Sequence, residues 1–426
     1  MKTKSVEVTI ERMLPGGMGL AHADERTVMV PLAAPGDRLR IKIERTKGNV
    51  DFASIQEVLE PSPVRVDPPC PYFGRCGGCD FQQLNYQAQL DAKVEMVRDC
   101  LRRIGGIENP PAFQVTPAPN QWRYRSRAQW QYDSIRKRLG YFEAGSRRVC
   151  DVAECAVLTP PLQETLQDLR RRMLDGSLPE DVRDFRAIVG DEDVSLGPPL
   201  DSQAVVDVTR SIYGEVYSLN AESFFQTNAD LLPPLIEAAL GEAGGETAIE
   251  LYSGVGLFTL PVARRFTDLI SVESNEAAER FARKNLANAG LANAKIANED
   301  VANWLETLEC ANSSQVGKGG LPPPTPNLKE LRGQATLPYL RGTSGDLQRI
   351  DFLLLDPPRT GAESRVINAI LKLRPKRICY VSCDPATLAR DLKKLIAGGY
   401  TLDSLAAFDM FPQTHHVETV VHLSSV

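Results

Sequence analysis

One cysteine of this chain, Cys383, stands where an apolar run meets residues typical of a helix start, in the order Val381-Ser382-Cys383-Asp384-Pro385. The thiolate is the nucleophilic form of cysteine, and its ordinary pKa is about 8.5 unless a helix N-terminus lowers it. A soft thiolate near neutral pH can add to C6 of a uracil ring, which lets C5 attack an electrophilic methyl group. A base must then remove the C5 proton so that the thiol is released.

Two carboxylates are candidates for work beside that thiol. Glu418, in His416-Val417-Glu418, offers the base, although His415, His416 and Glu418 are also compatible with surface positions on a late strand. Asp356 follows an apolar run, and the two prolines after it fix a loop that leaves its carboxylate exposed. Arg359 occupies the position where methylases of exocyclic amines commonly have an aromatic residue, which argues against amine methylation. Asp356 is therefore expected to bind a nucleobase edge or to assist the cysteine, with a helix cap as the alternative role.

A glycine-containing loop at residues 250–258 predicts a cofactor site. Gly254 and Gly256 follow an apolar strand candidate, and Glu273 ends the next one, where an acid suits the hydroxyls of a ribose. The third glycine of a dinucleotide site is missing, so S-adenosylmethionine fits better than NAD. Asp300, after the third strand, could accept a hydrogen bond from the adenine amino group or could cap a helix.

A cysteine cluster has the spacing C-x5-C-G-G-C with a distant fourth member. Four thiolates suit a [4Fe-4S] cluster and tetrahedral zinc equally well on ligand count. The spacing differs from the C-x3-C-x2-C of radical enzymes, which leaves one iron open. The four candidate ligands are Cys70, Cys76, Cys79 and Cys155.

The bulk composition is that of a globular protein of two or three domains, with 426 residues, 42% apolar and 24% charged. No apolar run of membrane-spanning length and no secretion signal is seen, so a cytoplasmic protein without membrane association is expected. The net charge of −6 does not indicate nucleic-acid binding by itself.

A basic and aromatic stretch at residues 121–150 is the exception to that charge balance. It contains eight Arg and Lys residues against two acidic ones, interleaved with Trp, Tyr and Phe. Stacking bases beside neutralised phosphates would use this mixture, and a strand pair with a solvated charged face is the alternative. The candidate RNA contacts are Arg123, Arg125 and Arg127.

Periodicity divides the chain into three parts. Residues 1–60 show short strands with Gly and Pro turns, typical of a small β-barrel. Residues 61–215 form a mixed central domain with an amphipathic helix at 86–103 that could pack on the catalytic domain, and 216–426 show βα repeats interrupted by a Gly- and Pro-rich insertion at 311–348. The repeats predict a doubly wound, mostly parallel sheet with strands at 247–252, 269–272, 350–355 and 377–382.

Taken together, these motifs resemble the RNA 5-methyluridine methyltransferase family, in particular its branch with a TRAM barrel and an iron-sulfur cluster that acts on 23S rRNA. Gly16-Gly17-Met18-Gly19-Leu20-Ala21 resembles a TRAM element, and the four cysteines match the cluster pattern. The resemblance implies cofactor contacts by Gln226 of Phe224-Phe225-Gln226-Thr227-Asn228 and, further on, by Tyr252, Gly254, Glu273, Asp300 and Asp356.

The resemblance also implies the reaction. Cys383 would be the nucleophile, Glu418 the base and Asp356 the aspartate of the DPPR motif. Glu250 and Ser253 depart from the residues usual in the family, as does the insertion at 311–348. The expected activity is S-adenosylmethionine-dependent methylation of C5 of a uridine in RNA, most often 23S rRNA, with a structural [4Fe-4S] cluster and no obligate protein partner. A tRNA-directed enzyme and a non-catalytic RNA-binding protein are the alternatives.

Overall fold

The structure, a computed structural model, describes residues 5–201, 206–313 and 350–426. The insertion predicted at 311–348 lies outside these residues except for 311–313, which belong to the end of a helix. In the described residues, no helix is long and apolar enough to cross a membrane.

The N-terminal part is a curled antiparallel-rich sheet in the order β1-β5-β6-β4-β3-β2. Several strands bury alternate side chains in one apolar core, because successive residues of a strand face opposite sides, whereas β3 buries the three consecutive residues Gly19, Leu20 and Ala21. The short strands agree with the small β-domain predicted for residues 1–60. Among the described residues its strands are β1 (Ser5–Thr9), β2 (Arg12–Leu14), β3 (Met18–Ala23), β4 (Arg26–Pro31), β5 (Arg38–Lys47) and β6 (Val50–Glu60).

The predicted amphipathic helix is α1 (Tyr86–Cys100), which continues as one π turn at Leu101–Gly105. Asn85 caps it, since its side chain accepts a hydrogen bond from the Ala88 N–H. Its buried face packs against the last helix of the chain and against the short strand β7 (Val115–Thr116). Gln89 and Lys93 are buried on this face although they are polar.

The middle of the chain forms an antiparallel sheet in the order β10-β9-β8-β11-β12. One helix covers it and contributes four apolar side chains to the shared core. The elements are β8 (Arg127–Asp133), β9 (Arg138–Phe142), β10 (Val149–Asp151), α2 (Pro160–Asp175), β11 (Asp184–Val189) and β12 (Val194–Gly197).

The C-terminal part begins with the hairpin β13 (Asp207–Ile212) and β14 (Glu215–Asn220) and continues as the predicted βα repeat. The described strands of its sheet run in the order β17-β16-β15-β18-β19-β21-β20-β7. They are β15 (Gly245–Leu251), β16 (Phe266–Glu273), β17 (Ala294–Asn298), β18 (Phe352–Leu355), β19 (Arg377–Ser382), β20 (Tyr400–Phe408) and β21 (Glu418–Ser425). The helices are α3 (Leu232–Leu240), α4 (Thr259–Ala263), α5 (Glu276–Asn288), α6 (Val301–Ser313), α7 (Ser364–Leu373) and α8 (Pro385–Ala397).

Strands β15 to β19 are mutually parallel, so their carboxyl ends share one edge of the sheet. Strand β21 runs antiparallel between β19 and β20, so its first residue reaches the same edge. Loops that follow parallel strands and the start of one antiparallel strand therefore meet there, as expected for the ligand-binding edge of a doubly wound sheet.

Candidate active site

Cys383 and Glu418 meet because two neighbouring strands run in opposite directions. Ser382, the last residue of β19, pairs with Thr419 of β21, and the Thr419 hydroxyl donates to the Ser382 carbonyl at 2.9 Å. Cys383, which follows Ser382, therefore lies beside Glu418, which precedes Thr419. The two are far apart in sequence, so the sheet register alone brings them together.

Asp356 follows the adjacent strand β18 and completes a group of three ionisable side chains. Glu418 is only 1% exposed, and burial raises its pKa, with a further rise from the charge of Asp356 and a decrease from that of Arg359. Burial likewise raises the pKa of Asp356 to about 7. Two neighbouring buried carboxyls resist ionising together, so near neutral pH one of them holds a proton and the other can accept one.

The pKa expected for Cys383 is corrected by the structure. Asp384 caps α8 by accepting hydrogen bonds from the Ala386 and Thr387 N–H groups, so Cys383 lies just before a helix N-terminus. Burial nevertheless raises the pKa of Cys383 to about 12, the charge of Glu418 adds to this, and Arg359 opposes it. The desolvation of the thiolate outweighs the helix, so Cys383 needs a base.

The glycine loop and Glu273 are physically joined. The Gly254 N–H donates to Glu273 Oε2 at 2.8 Å, and the Asn275 N–H donates to Glu273 Oε1 at 2.7 Å. Tyr252 begins this loop with a left-handed backbone (φ 65°), a conformation unusual for a residue other than glycine. The carboxylate is thus held at the end of β16, beside the loop that would approach a cofactor.

Several buried polar atoms lack a hydrogen-bond partner in the described structure, and those of Glu250 and Ser253 belong to the glycine loop. Asn228 is 0% exposed, yet neither its side-chain nitrogen nor its oxygen has a hydrogen-bond partner, and the hydroxyl of Ser253 has none. Glu250 accepts hydrogen bonds from Thr259 and Ser271 through one oxygen, while its other oxygen is unpaired. Such atoms cost free energy unless a ligand pairs them, and this suits a cofactor site.

Gln226 is linked to this loop only through its neighbour. The ring of Phe225 lies 6.2 Å from that of Tyr217, whose hydroxyl donates to the Leu257 carbonyl at 3.1 Å, and Gln226 itself is buried. Within the motif at 224–228, the sequence predicted a cofactor contact only for Gln226. Its last residue, Asn228, was missed as a candidate, because a buried side chain without partners is visible only in three dimensions.

Asp300 has the capping role that the sequence left open. Its side chain accepts hydrogen bonds from the Ala302 and Asn303 N–H groups at the start of α6, both at 3.1 Å. It also contacts Arg365, and its side chain is 47% exposed. Capping uses one carboxylate oxygen and does not exclude a cofactor contact by the other, so that contact remains a prediction.

The cysteine cluster is assembled in space. The four predicted ligands line one small cavity of about 20 Å³. In the described ranges, no three His, Cys, Asp or Glu side chains lie close enough together to hold a single metal ion. Cys150 lies nearby and was missed as a neighbour, but it is buried and accepts a hydrogen bond from Arg75.

The three candidate RNA-binding arginines occupy different environments. Arg123 is exposed, and Arg127 is half-buried with its guanidinium 5.4 Å from the ring of Phe224, which is 62% exposed. Arg125 lines the cysteine cavity, and its Nε is buried without a partner. Arg125 therefore faces the cysteines, whereas Arg123 and Phe224 face solvent.

A mostly parallel sheet with a glycine loop and an acid at the end of the next strand has the arrangement of a nucleotide-like cofactor site at the carboxyl edge of a doubly wound sheet. Similarity to known proteins identifies this class as the methyltransferases that use S-adenosylmethionine. The profile of the tRNA (Uracil-5-)-methyltransferase family matches residues 202–309 and 330–426, and the profile of the tRNA (uracil(54)-C(5))-methyltransferase TRAM domain matches residues 6–64.

Relatives match along nearly the whole chain. An RNA methyltransferase of Synechocystis is 30% identical over 99% of this chain and 96% of its own length. A 23S rRNA (uracil(1939)-C(5))-methyltransferase of Alkalilimnicola ehrlichii is 30% identical over 97% of this chain and 95% of its own length. The chain belongs to the S-adenosylmethionine-dependent RNA (uracil-5-)-methyltransferase family.

A solved structure shows the same fold. The tRNA (uracil-54, C5)-methyltransferase of Pyrococcus abyssi, in complex with S-adenosyl-L-homocysteine, aligns with a TM-score of 0.68 and 24% identity, covering 98% of this chain and all of that chain. The enzyme interpretation of the sequence is thus confirmed at the level of the family, and the non-catalytic alternative is not supported.

Proposed function

We propose that this enzyme methylates C5 of a uridine in 23S rRNA through a covalent adduct with Cys383. The observation that carries this proposal is the meeting of Cys383, Glu418 and Asp356 at the ends of three neighbouring strands. A thiol, a buried carboxyl of raised pKa and a second carboxyl are the groups that addition, proton removal and elimination require.

The first step needs a base for the thiol. With a pKa of about 12, Cys383 is almost wholly protonated at neutral pH, so Asp356, the carboxyl of the pair with a pKa of about 7, takes its proton. The sulfur then bonds to C6 of uracil, and the C5–C6 π electrons move toward C5 and O4. Arg359 lowers the pKa of both Cys383 and Glu418, so its charge favours the ionised groups.

The later steps return the enzyme to its starting state. The 252–258 loop, Glu273 and Gln226 would hold S-adenosylmethionine, which would supply an electrophilic methyl group for C5 and leave as S-adenosylhomocysteine. Asp356 passes the thiol proton on to solvent, so the pair again holds a single proton and Glu418 in its ionised form removes the C5 proton. The C5–C6 double bond re-forms, and the C6–S bond breaks with its electrons on sulfur, so that Cys383 leaves as a thiolate and takes up a proton. Glu418 is almost fully buried, so bulk water does not compete for this proton.

The burial of these groups also restricts the substrate. The C6 face of a uracil stacked in a duplex cannot reach Cys383, so the target uridine must lie in a loop or be flipped out. The exposed ring of Phe224, with Arg127 beside it, is a stacking platform for such RNA, and Arg123 adds an exposed charge.

The choice of 23S rRNA is supported by the relative of that name, which is 30% identical along nearly the whole chain. A tRNA substrate is the second candidate, because both family profiles and the Pyrococcus abyssi protein carry tRNA in their descriptions. Direct comparison of the two RNAs separates these candidates.

The cysteine cavity fits a [4Fe-4S] cluster as a structural group. Four thiols line one cavity, and a cubane takes one thiolate on each of its four irons. The proposed reaction transfers no electron, so the cluster would order the chain around it. Iron and sulfide analysis, with absorbance at about 400 nm, tests this, and a colourless zinc protein would refute it.

The experiment for the reaction uses RNA that carries 5-fluorouridine. Fluorine at C5 cannot leave as a proton, so the methylated adduct accumulates and is seen on a denaturing gel and by mass spectrometry. We expect an adduct on Cys383 with a 23S rRNA transcript, none with tRNA and none with Cys383→Ser. Methyl transfer to ordinary RNA without any adduct would overturn the covalent mechanism, and an adduct with tRNA alone would overturn the rRNA assignment.

A further inference from the structure

The general base is preceded by a loop that is held from outside the methyltransferase sheet. This loop, residues 409–417 between β20 and β21, is called the Glu418 loop below. On one side, Lys93 forms a fully buried ion pair with Asp409 and donates to the Phe411 carbonyl at 3.2 Å. Lys93 lies in α1 and Asp409 lies in the loop, 316 positions apart in sequence.

The middle of the loop is held by hydrogen bonds at one residue, Gln413. Its N–H donates to Gln89 Oε1 at 2.9 Å, while Gln89 Nε2 donates to its side-chain oxygen at 3.0 Å. The backbone of Gln413 is left-handed (φ 68°), and its carbonyl accepts hydrogen bonds from the N–H groups of Asp80 and Phe81. Tyr124 fixes the preceding residue by donating to the Pro412 carbonyl at 2.9 Å.

Asp80 makes the contact nearest to the base. Its Oδ1 accepts a hydrogen bond from the His415 N–H at 2.8 Å, and its Oδ2 is hydrogen-bonded to His415 Nδ1. Only His416 and Val417 separate this anchor from Glu418. Asp80 thus fixes both the backbone and the ring of a residue three positions before the general base.

Asp80 is also the residue that follows a cluster ligand and touches the barrel. Cys79, immediately before it, lines the cysteine cavity. From the other side, Gly17 of the β2–β3 turn approaches so closely that a Cβ there would lie 2.6 Å from Asp80 Oδ2. Three parts of the chain therefore meet at one carboxylate: the barrel turn, the cysteine segment and the Glu418 loop.

We propose that Asp80 is a positioning residue for proton removal, which fixes the Glu418 loop to the cysteine segment and the barrel. This rests on the proposed role of Glu418 as the base. A buried base works only when it is held within a few tenths of an ångström of its proton, and the strand β21 fixes Glu418 only from its C-terminal side. Asp80 supplies the anchor on the N-terminal side, which links the barrel turn and the cysteine segment to one chemical step.

The step affected distinguishes positioning from general structural support. Addition of Cys383 and methyl transfer precede proton removal, so a displaced Glu418 should leave them intact and slow only elimination. The methylated adduct should then accumulate on ordinary uridine RNA, which wild-type enzyme releases. A general loss of structure would instead reduce adduct formation on every RNA.

The test compares Asp80→Ala, Asp80→Asn and a matched control, Asp67→Ala, in the full-length holoenzyme with equal iron content. Asp67 is an exposed acid of the same segment. For Asp80→Ala we expect kcat to fall about ten- to a hundredfold, an adduct on ordinary uridine RNA, and formation of the 5-fluorouridine adduct within about threefold of wild type. Asp80→Asn retains an acceptor for the His415 N–H and should recover part of kcat, and Asp67→Ala should resemble wild type.

Hydrogen exchange of the Glu418 loop tests the anchor independently of the reaction. Its amides should exchange faster than wild type in Asp80→Ala and at the wild-type rate in Asp67→Ala. Normal turnover and normal exchange in Asp80→Ala would overturn the inference, as would equal losses of adduct on both RNAs. If wild type forms no 5-fluorouridine adduct, the covalent mechanism fails, whereas a change in exchange confined to Asp80→Ala would still establish the anchor.

Discussion

Lowering the pH from 8 to 6 should slow formation of the Cys383 adduct about tenfold. The thiol, with a pKa of about 12, depends on the carboxyl pair for deprotonation, and Asp356 in that pair has a pKa of about 7. A carboxyl of raised pKa can accept a proton at pH values above that pKa, and it loses this ability as the pH falls through it. With a pKa of about 7, roughly nine-tenths is ionised at pH 8 and roughly one-tenth at pH 6.

The assay is a single-turnover experiment with excess enzyme, saturating S-adenosylmethionine and 5-fluorouridine RNA, between about pH 5.5 and about pH 9. Adduct is quantified on denaturing gels at successive times. Fluorine blocks elimination, so the measured rate reports the steps up to methyl transfer. The dissociation constants of the cofactor and of the RNA, measured at both ends of the range, separate binding from chemistry, and Cys383→Ser gives the background.

Two results would refute the reasoning. A rate independent of pH across this range would mean that no carboxyl of raised pKa controls the thiol. A rate that climbs about tenfold per pH unit through pH 9 would mean that Cys383 loses its proton directly to solvent, without help from the carboxyl pair. The raised pKa of the thiol would then control the rate by itself. The expected profile instead rises through about pH 7 and then levels.

Three further predictions concern stability, cofactor and RNA. Lys93→Met should cost about 3–5 kcal/mol in urea unfolding because it leaves Asp409 buried and unpaired, and adding Asp409→Leu should recover most of the loss. Equal stability of single and double variants would contradict this. Glu273→Ala should weaken S-adenosylmethionine binding at least about tenfold by calorimetry, since it frees Gly254 and removes the ribose acceptor; an unchanged affinity would remove Glu273 from the site. Phe224→Ala should weaken RNA binding by about 1–3 kcal/mol with cofactor affinity unchanged, and equal RNA affinity would contradict the stacking role.

Much of the fold could be predicted from the sequence. Short apolar runs with Gly and Pro turns predicted the barrel, and four apolar runs predicted strands that the structure has at nearly the same positions, as with Arg377–Ser382. These predictions rest on local backbone preferences and on the period of apolar residues, which short stretches of chain express by themselves. The helix from Tyr86 was found for the same reason.

The chemistry of the site was less predictable. The thiol of Cys383 was expected to ionise more readily than it does, because a following helix start is visible in the sequence and burial is not. Arg125 has the sequence context of its neighbours but lines the cysteine cavity. The unpaired side chain of Asn228 could not be foreseen either, since pairing depends on what packs around it.

The sequence by itself determined which elements form and which residue types are available: a cysteine directly after β19, an acid at the end of β16 and four cysteines in the central part of the chain. Only the tertiary structure decided which of these act together. The antiparallel register of β21 brings Glu418 to Cys383, and Asp80 reaches His415 across 335 positions of sequence. Contacts between distant segments arise from how whole elements pack, and no local pattern of residues encodes that distance.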